Sequence, residues 1–386
     1  MSLTAPVDLE GHFRSFVQAS IGTTATPDLA MARKLDLSSF DAGSEERLAA
    51  ATQAILSHAE NGGTHHREGT LSALGVAMDA SDRAFADAGF DAFARSSFRI
   101  RKLEPEDWSR AGDFFYVKIN HAFWEQLYTL FASDPEPSRM RITDAPRFRR
   151  LYLDTGFILP LATALRESAT VSKDGTHILA PSFAISFYAG MLDHQAILSS
   201  HPTADAATRR IHAGACVGAN GFLRALFDKG PFHVGDGCFP KMALENGQLK
   251  QCLDKLGAGC RRIVFVVPQH LEGIRYAFGD EVPQDVLLIP RGNVYRTWAA
   301  SLFLAVRHIL ARLAQDERVI VMTQSGVFSA LLGLYLRRAR NDLMPGTGRL
   351  HFLDLGQVLD IAAPESGGPW IRRFRVDERS LFRIDG

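Results

Sequence analysis

The sequence predicts an α/β protein with a Rossmann-like parallel sheet in its C-terminal part and a mainly helical N-terminal part. Three observations carry this. First, four short apolar runs occur late in the chain: Ile263–Val267, Val286–Ile289, Val319–Met322 and His351–Leu355. Each has four or five residues, mostly apolar and often β-branched, as a strand buried on both faces requires. Second, helical periodicity fills the later gaps. Leu302, Val306, Ile309 and Leu313 recur at three or four residues, and Leu331, Leu332, Tyr335 and Leu336 repeat the pattern. Alternation of strand and helix implies a doubly wound unit. Third, every apolar run ends in polar residues, and the carboxyl ends of such strands are where open α/β sheets bind ligands.

The elements divide the chain into three expected regions: helical 1–134, mixed and mainly helical 139–256, and Rossmann-like 257–386. In the first region, Leu48, Ala51, Ile55 and Leu56 give a helix over Glu45–His58 one apolar face. Ser44 stands at its N-cap, Glu45 and Glu46 in its first turn, and Asn61-Gly62-Gly63 at its end. Further helices are expected over 71–80 and 83–94. The aromatic stripe from Asp113 to Phe131 reads as helical core, with Lys118, Asn120, His121 and Glu125 along it. Residues 132–138, with two prolines and no large apolar side chain, form a linker. In the middle region, Tyr152–Arg166 reads as a helix broken at Gly156 and Pro160, and His177–Ala180 as a strand. Phe183–Leu198 and His212–Leu226 read as buried helices, and Met242–Leu256 as one further helix. The tail from Arg372 to Arg383 alternates basic with apolar residues, as an edge strand or short helix does.

The 386 residues carry 43 basic and 43 acidic side chains, 46% hydrophobic and 22% charged, an ordinary globular composition without the footprint of a nucleic-acid-binding protein. The first residues lack a basic segment followed by an apolar one, and no run approaches the ~18 apolar residues of a membrane span. A cytoplasmic protein with no membrane span is expected. Cys216, Cys238, Cys252 and Cys260 form no CxxC pair, so neither a disulfide framework nor a structural zinc site is expected. The adjacent His65 and His66 do not face one way on a helix and have no evident third ligand.

The polar strand ends supply the candidate binding residues: Gln269 and His270, Arg291 and Asn293, Gln324 with Ser325 and Gly326, and Gln357. Ser325-Gly326 lies between a strand and a helix, where backbone N–H groups and the positive end of the helix dipole suit an anion. Arg291 adds a charge-assisted bond to the same anion. The chain contains neither GxGxxG nor GxxxxGK[ST], so neither an NAD fingerprint nor a P-loop is present. Asp354 is the candidate acid of the site: a ribose ligand, a metal ligand or a base. Asp236 lies between Gly235 and Gly237, either in a plain Asp-Gly turn or aimed at a metal or a diphosphate-bound cation. Asp193-His194, inside an apolar segment, is either a satisfied buried pair or a catalytic one.

Two of these stretches resemble the C-terminal half of the GT-D-fold glycosyltransferases. Val319 to Phe328 is similar to that family's strand, small-residue turn and helix. Leu353-Asp354-Leu355-Gly356-Gln357 is similar to its Asp-hydrophobic-Gly motif, with Gln357 where the family has His. Gly235-Asp236-Gly237-Cys238 is similar to its metal motif, with Cys238 in place of Glu. The resemblance spans roughly residues 230 to 362 and implies a nucleotide-sugar donor with a divalent cation at the diphosphate. Three functions are therefore expected in order: a glycosyltransferase-like group transferase; an acyl or aminoacyl transferase; a non-catalytic nucleotide-binding protein. The second, if its carrier is tRNA, expects Arg337, Arg338, Arg340, Arg372 and Arg373 on one basic surface.

Overall fold

The computed structural model describes residues 8–57, 98–101, 112–119, 156–168, 177–181, 232–235, 239–277, 281–290, 294–365 and 380–385. The expected helices over 71–80, 83–94, 183–198 and 212–226 and the linker over 132–138 lie outside these residues. So do His65, His66, Asn120, His121, Glu125, Asp193, His194, Cys216, Asp236, Cys238, Arg291, Asn293, Arg372 and Arg373. The chain forms two compact units, one of Met1–Gly63, Glu104–Val117 and Pro240–Gly386, the other of Thr64–Leu103 and Lys118–Phe239.

The described helices are α1 (Leu9–Ile21), α2 (Ser44–Leu56), α3 (Ile158–Ser168), α4 (Phe239–Glu245), α5 (Leu249–Gly257), α6 (Trp298–Asp316) and α7 (Val327–Leu343). The described strands are β1 (Phe98–Arg101), β2 (Phe114–Ile119), β3 (His177–Pro181), β4 (Phe232–Gly235), β5 (Arg262–Pro268), β6 (Ile274–Tyr276), β7 (Gln284–Ile289), β8 (Arg318–Thr323), β9 (Arg349–Asp354) and β10 (Phe382–Ile384). In the first unit β2, β9, β8, β5 and β7 pair in that order, all parallel. This is the expected Rossmann-like sheet, and its four late strands coincide with the four apolar runs. Among the described residues of the second unit, β1 pairs in parallel with β4.

The fifth strand is a correction. Phe114–Ile119 was expected as part of a helical stripe, but it forms β2 and pairs with β9. Phe114, Phe115, Tyr116 and Val117 are all buried. Four consecutive buried side chains suit a strand covered on both faces, because neighbours alternate between the faces. Asp113 fastens the start of this strand: its Oδ1 accepts from the Leu350 N–H at 2.8 Å, and Arg340 lies 3.5 Å from its Oδ2.

Alternation also sorts the sheet's two faces. Thr323, Phe352, Asp354 and Val117 belong to one; Phe265, Met322, His351 and Tyr116 to the other. α7 packs on the first face. Gly333 permits this, since a Cβ there would lie 2.5 Å from Phe352 Cε1 and 2.8 Å from Val117 Cγ2. α6 lies beside α7. The crossovers β7–α6–β8 and β8–α7–β9 advance in the same direction, so one handedness puts both helices on one face. α1 closes this layer, with Phe13 and Phe16 against Tyr335 at ring separations of 5.6 and 4.5 Å. The opposite face carries the antiparallel pair β6–β10, where Phe382 meets Phe265 edge-on. Of the tail expected over 372–383, Phe382 and Arg383 lie in β10, and residues 372–379 lie outside the described residues.

Three local boundaries differ from expectation. Ser44 is the first residue of α2 and Gly43 its cap; the Ser44 hydroxyl instead bonds Asp41 just before the helix. The helix ends at Leu56, ahead of the glycine pair. Tyr152–Arg166 does not contain a helix broken at Pro160. α3 starts after Gly156, whose φ is 70°, and Pro160 falls in its first turn, where a missing N–H breaks no bond. The helix expected over Met242–Leu256 is two, α4 and α5, separated at Gly247 with φ 67°.

Candidate functional site

The order of the sheet sets the position of the site. From β5 the chain goes outward to its neighbour β7, then returns across β5 to β8 and onward to β9. Strand order therefore reverses between β5 and β8, and a crevice is expected beyond the carboxyl ends of those two strands. The chain leaves β5 through a 3-10 turn, Gln269–Leu271, toward the face of β6, and leaves β8 into α7 on the other face. β9 continues into a second 3-10 segment, Gly356–Ala362, which packs against β10 and the first turn.

One wall of the crevice is built of hydroxyls and a helix start. Thr323 ends β8 with its side chain on the helix face. Its Oγ1 lies 2.8 Å from Ser329 Oγ and 3.2 Å from Ser325 Oγ. Ser329 Oγ also accepts from the Ser325 N–H at 3.0 Å. Three small hydroxylic residues thereby hold the turn from strand to helix in one shape. Gly326 caps α7 at φ 60° and ψ −137°, backbone angles a side chain disfavours, and no side chain caps the helix there. Gly326 is exposed, and Tyr295 Oη lies 3.3 Å from where its Cβ would be. The first turn of a helix has N–H groups with no intrahelical partner, and these face the crevice edge with the positive dipole end.

The other wall is a carboxylate cluster. Asp360, buried in the 3-10 segment after β9, accepts on one oxygen from two side chains. His270 Nε2 is 3.0 Å away and Gln324 Nε2 is 2.6 Å away. Three segments that follow β5, β8 and β9 thus meet at one carboxyl oxygen. His270 and Gln324 were candidates in the sequence; Asp360 was not. Its signal was an acid between Leu359 and Ile361, a place where an unpaired charge is too costly to bury. Asp354, the acid expected in its stead, is 2% exposed, and its Oδ1 accepts from the Gly356 N–H at 3.1 Å, closing the turn after β9. Gln357 and Gln269 are exposed and are not in the Asp360 cluster.

Other charge clusters lie elsewhere. At the amino ends of the strands, Asp285 meets Arg262 at 2.9 Å, His308 at 2.8 Å and Arg312 at 2.7 Å. Burial pushes its carboxyl up, but His308 and the two guanidinium groups outweigh this and hold it below the ordinary Asp value. A cleft of about 540 Å³ lined by Cys260, Arg261, Glu281 and Asp316 among others opens on that same edge. It lies at the wrong end of the strands for a ligand of an open α/β sheet. Cys252 and Cys260 are buried thiols, neither in a disulfide. Two of the five arginines expected on a basic surface around α7 are corrected, while Arg372 and Arg373 lie outside the described residues. Arg337 and Arg340 are buried, and Arg340 donates to the carbonyls of Met344 and Gly348 at the helix end. Side chains committed to closing a helix cannot neutralise phosphates. Among the described residues, no three His, Cys, Asp or Glu side chains are grouped to hold a metal ion, and no helix is long and apolar enough to cross a membrane. The chain matches no known family model, no curated protein and no solved structure.

Proposed function

We propose that the chain is a group transferase of the glycosyltransferase type, taking a nucleotide-sugar donor across the β5–β8 crevice. One observation carries the reading furthest. The two stretches that resemble GT-D-fold glycosyltransferases lie on neighbouring parallel strands, β8 and β9, with Thr323 opposite Asp354 at their carboxyl ends. Positions 31 residues apart in sequence therefore serve one edge, beside the point where strand order reverses.

In this reading the donor diphosphate sits against the first turn of α7, at Ser325 and Gly326. The helix dipole and free N–H groups offset charge developing on the departing diphosphate. Arg291, which follows β7 in sequence, supplies a cation from the neighbouring strand end. A divalent cation, when bound, adds electrostatic stabilisation to the same leaving group.

The test is thermal denaturation of the full chain with UDP, GDP, ADP and CDP, each with and without manganese, and with coenzyme A and bulk tRNA. A ligand at about 100 times its Kd stabilises a one-site protein by roughly 2.7 kcal/mol. One nucleoside diphosphate is expected to raise the melting temperature. Ser325→Asp, which puts a negative charge at the helix start without opposing its dipole, is expected to lose that shift, read against the variant's own melting temperature without nucleotide because Ser325 also bonds Thr323 and Ser329. A shift with coenzyme A or tRNA, and none with any nucleoside diphosphate, overturns the proposal in favour of acyl transfer.

A further inference from the structure

The carboxylate wall of the crevice specifies the sign of what completes it. A carboxylate oxygen accepts, so the His270 nitrogen facing it, Nε2, is the one that donates. In the tautomer with its single N–H on Nε2, Nδ1 keeps a lone pair, and it is buried with no partner among the described residues. The same logic orients Gln324. Its amide nitrogen donates to Asp360, because the flipped amide would set oxygen against oxygen. Gln324 Oε1 is therefore the second acceptor, also buried with no partner among the described residues. Buried polar atoms are nearly always hydrogen-bonded, so two orphans in one cluster at a switch point call for an explanation.

Both orphans are acceptors, and the carboxylate between them is an acceptor too. A phosphate group, which at neutral pH chiefly accepts, gains nothing from this wall. A hydroxyl gains a bond from each. We infer that His270 Nδ1 and Gln324 Oε1 receive hydrogen bonds from sugar hydroxyls of the ligand whose diphosphate lies at Ser325 and Gly326. Asp360 holds both side chains in place without touching the ligand. The inference rests on the nucleotide-sugar reading and divides its site in two: the helix wall reads the diphosphate, the carboxylate wall reads a polyol. The hydroxyls belong either to the transferred sugar or to the ribose, which present the same chemistry.

Isothermal titration of the full chain separates these sources. UDP is compared with UDP-glucose and with 2′-deoxy-UDP, and GDP with GDP-mannose and with 2′-deoxy-GDP. One pair in a series is expected to differ in Kd by about threefold to tenfold, the worth of one or two neutral hydrogen bonds. A difference between diphosphate and sugar nucleotide assigns the transferred sugar; one between ribo and deoxyribo forms assigns the ribose. Gln324→Met keeps chain length and leaves the His270–Asp360 bond in place. It is expected to lower that ratio, since one of the two acceptors is gone. His270→Phe is expected to do the same. Flat ratios in the parent protein, with the diphosphate binding, overturn this inference alone, as does a ratio that survives in both variants. Absence of binding by every nucleotide overturns it together with the nucleotide-sugar reading.

Discussion

His351 makes the stability of the first unit depend on pH in a range where few other groups titrate. It sits in β9 between Ile320 of β8 and Phe114 of β2, fully buried, and neither ring nitrogen has a partner among the described residues. Burial, reinforced by the charges of Arg318 and Arg349, lowers its pKa from 6.5 to about 4. The unfolded chain therefore binds a proton that the folded chain refuses. Stability is complete above pH 6.5 and is lost as pH falls toward 4. With these two values the loss between pH 7 and pH 5 is about 2 kcal/mol, rising to about 3 kcal/mol below pH 4. Carboxylates in the same protein also titrate at the acid end, so a difference measurement is needed. Urea denaturation of the parent chain and of His351→Leu, at half-unit intervals from pH 7 to pH 5, isolates the histidine. Leucine has nearly the same volume and removes two orphan nitrogens, so the variant is expected to be at least as stable at pH 7. The parent is expected to lose about 2 kcal/mol relative to it by pH 5. Parallel stability curves for the two proteins would refute the reasoning, since they would show that His351 takes up its proton equally in both states.

Two further outcomes follow from packing and charge. Gly333→Ala sets a methyl against Phe352 and Val117, with overpacking expected to cost about 1–3 kcal/mol. That outweighs the gain of about 1 kcal/mol from alanine in a helix interior, so a lower melting temperature by circular dichroism is expected, and a higher one refutes the close approach of α7 to the sheet. Asp285→Asn removes the carboxylate shared by Arg262, His308 and Arg312, of which Arg262 keeps its pair with Asp316. A loss of about 2–3 kcal/mol in urea denaturation at pH 7 is expected, with any nucleotide-induced shift unchanged, because the cluster lies at the amino ends of the strands.

The late third of the chain was legible because each of its strands is buried on both faces. Such strands need continuous runs of apolar residues, and Val319-Ile320-Val321-Met322 can hardly be read otherwise. The intervening helices lean on one face, so they show a period near 3.6. His270, Gln324, Ser325 and Gly326 were legible as strand-end residues for the same reason: once strands and helices are placed, their carboxyl ends are placed too. Strand β2 was not legible. Its aromatic residues satisfy a helical stripe as well as a strand, and only pairing with β9, 235 or more residues away, decides between them. Asp360 was hidden for a related reason. An acid between Leu359 and Ile361 signals that a partner is needed but does not name it, whereas two donors brought from β5 and β8 make it the centre of a wall. Local composition and periodicity determined which segments of the late third are strands and helices. Which polar ends face one another was decided by strand order, a property of long-range pairing that no short stretch encodes.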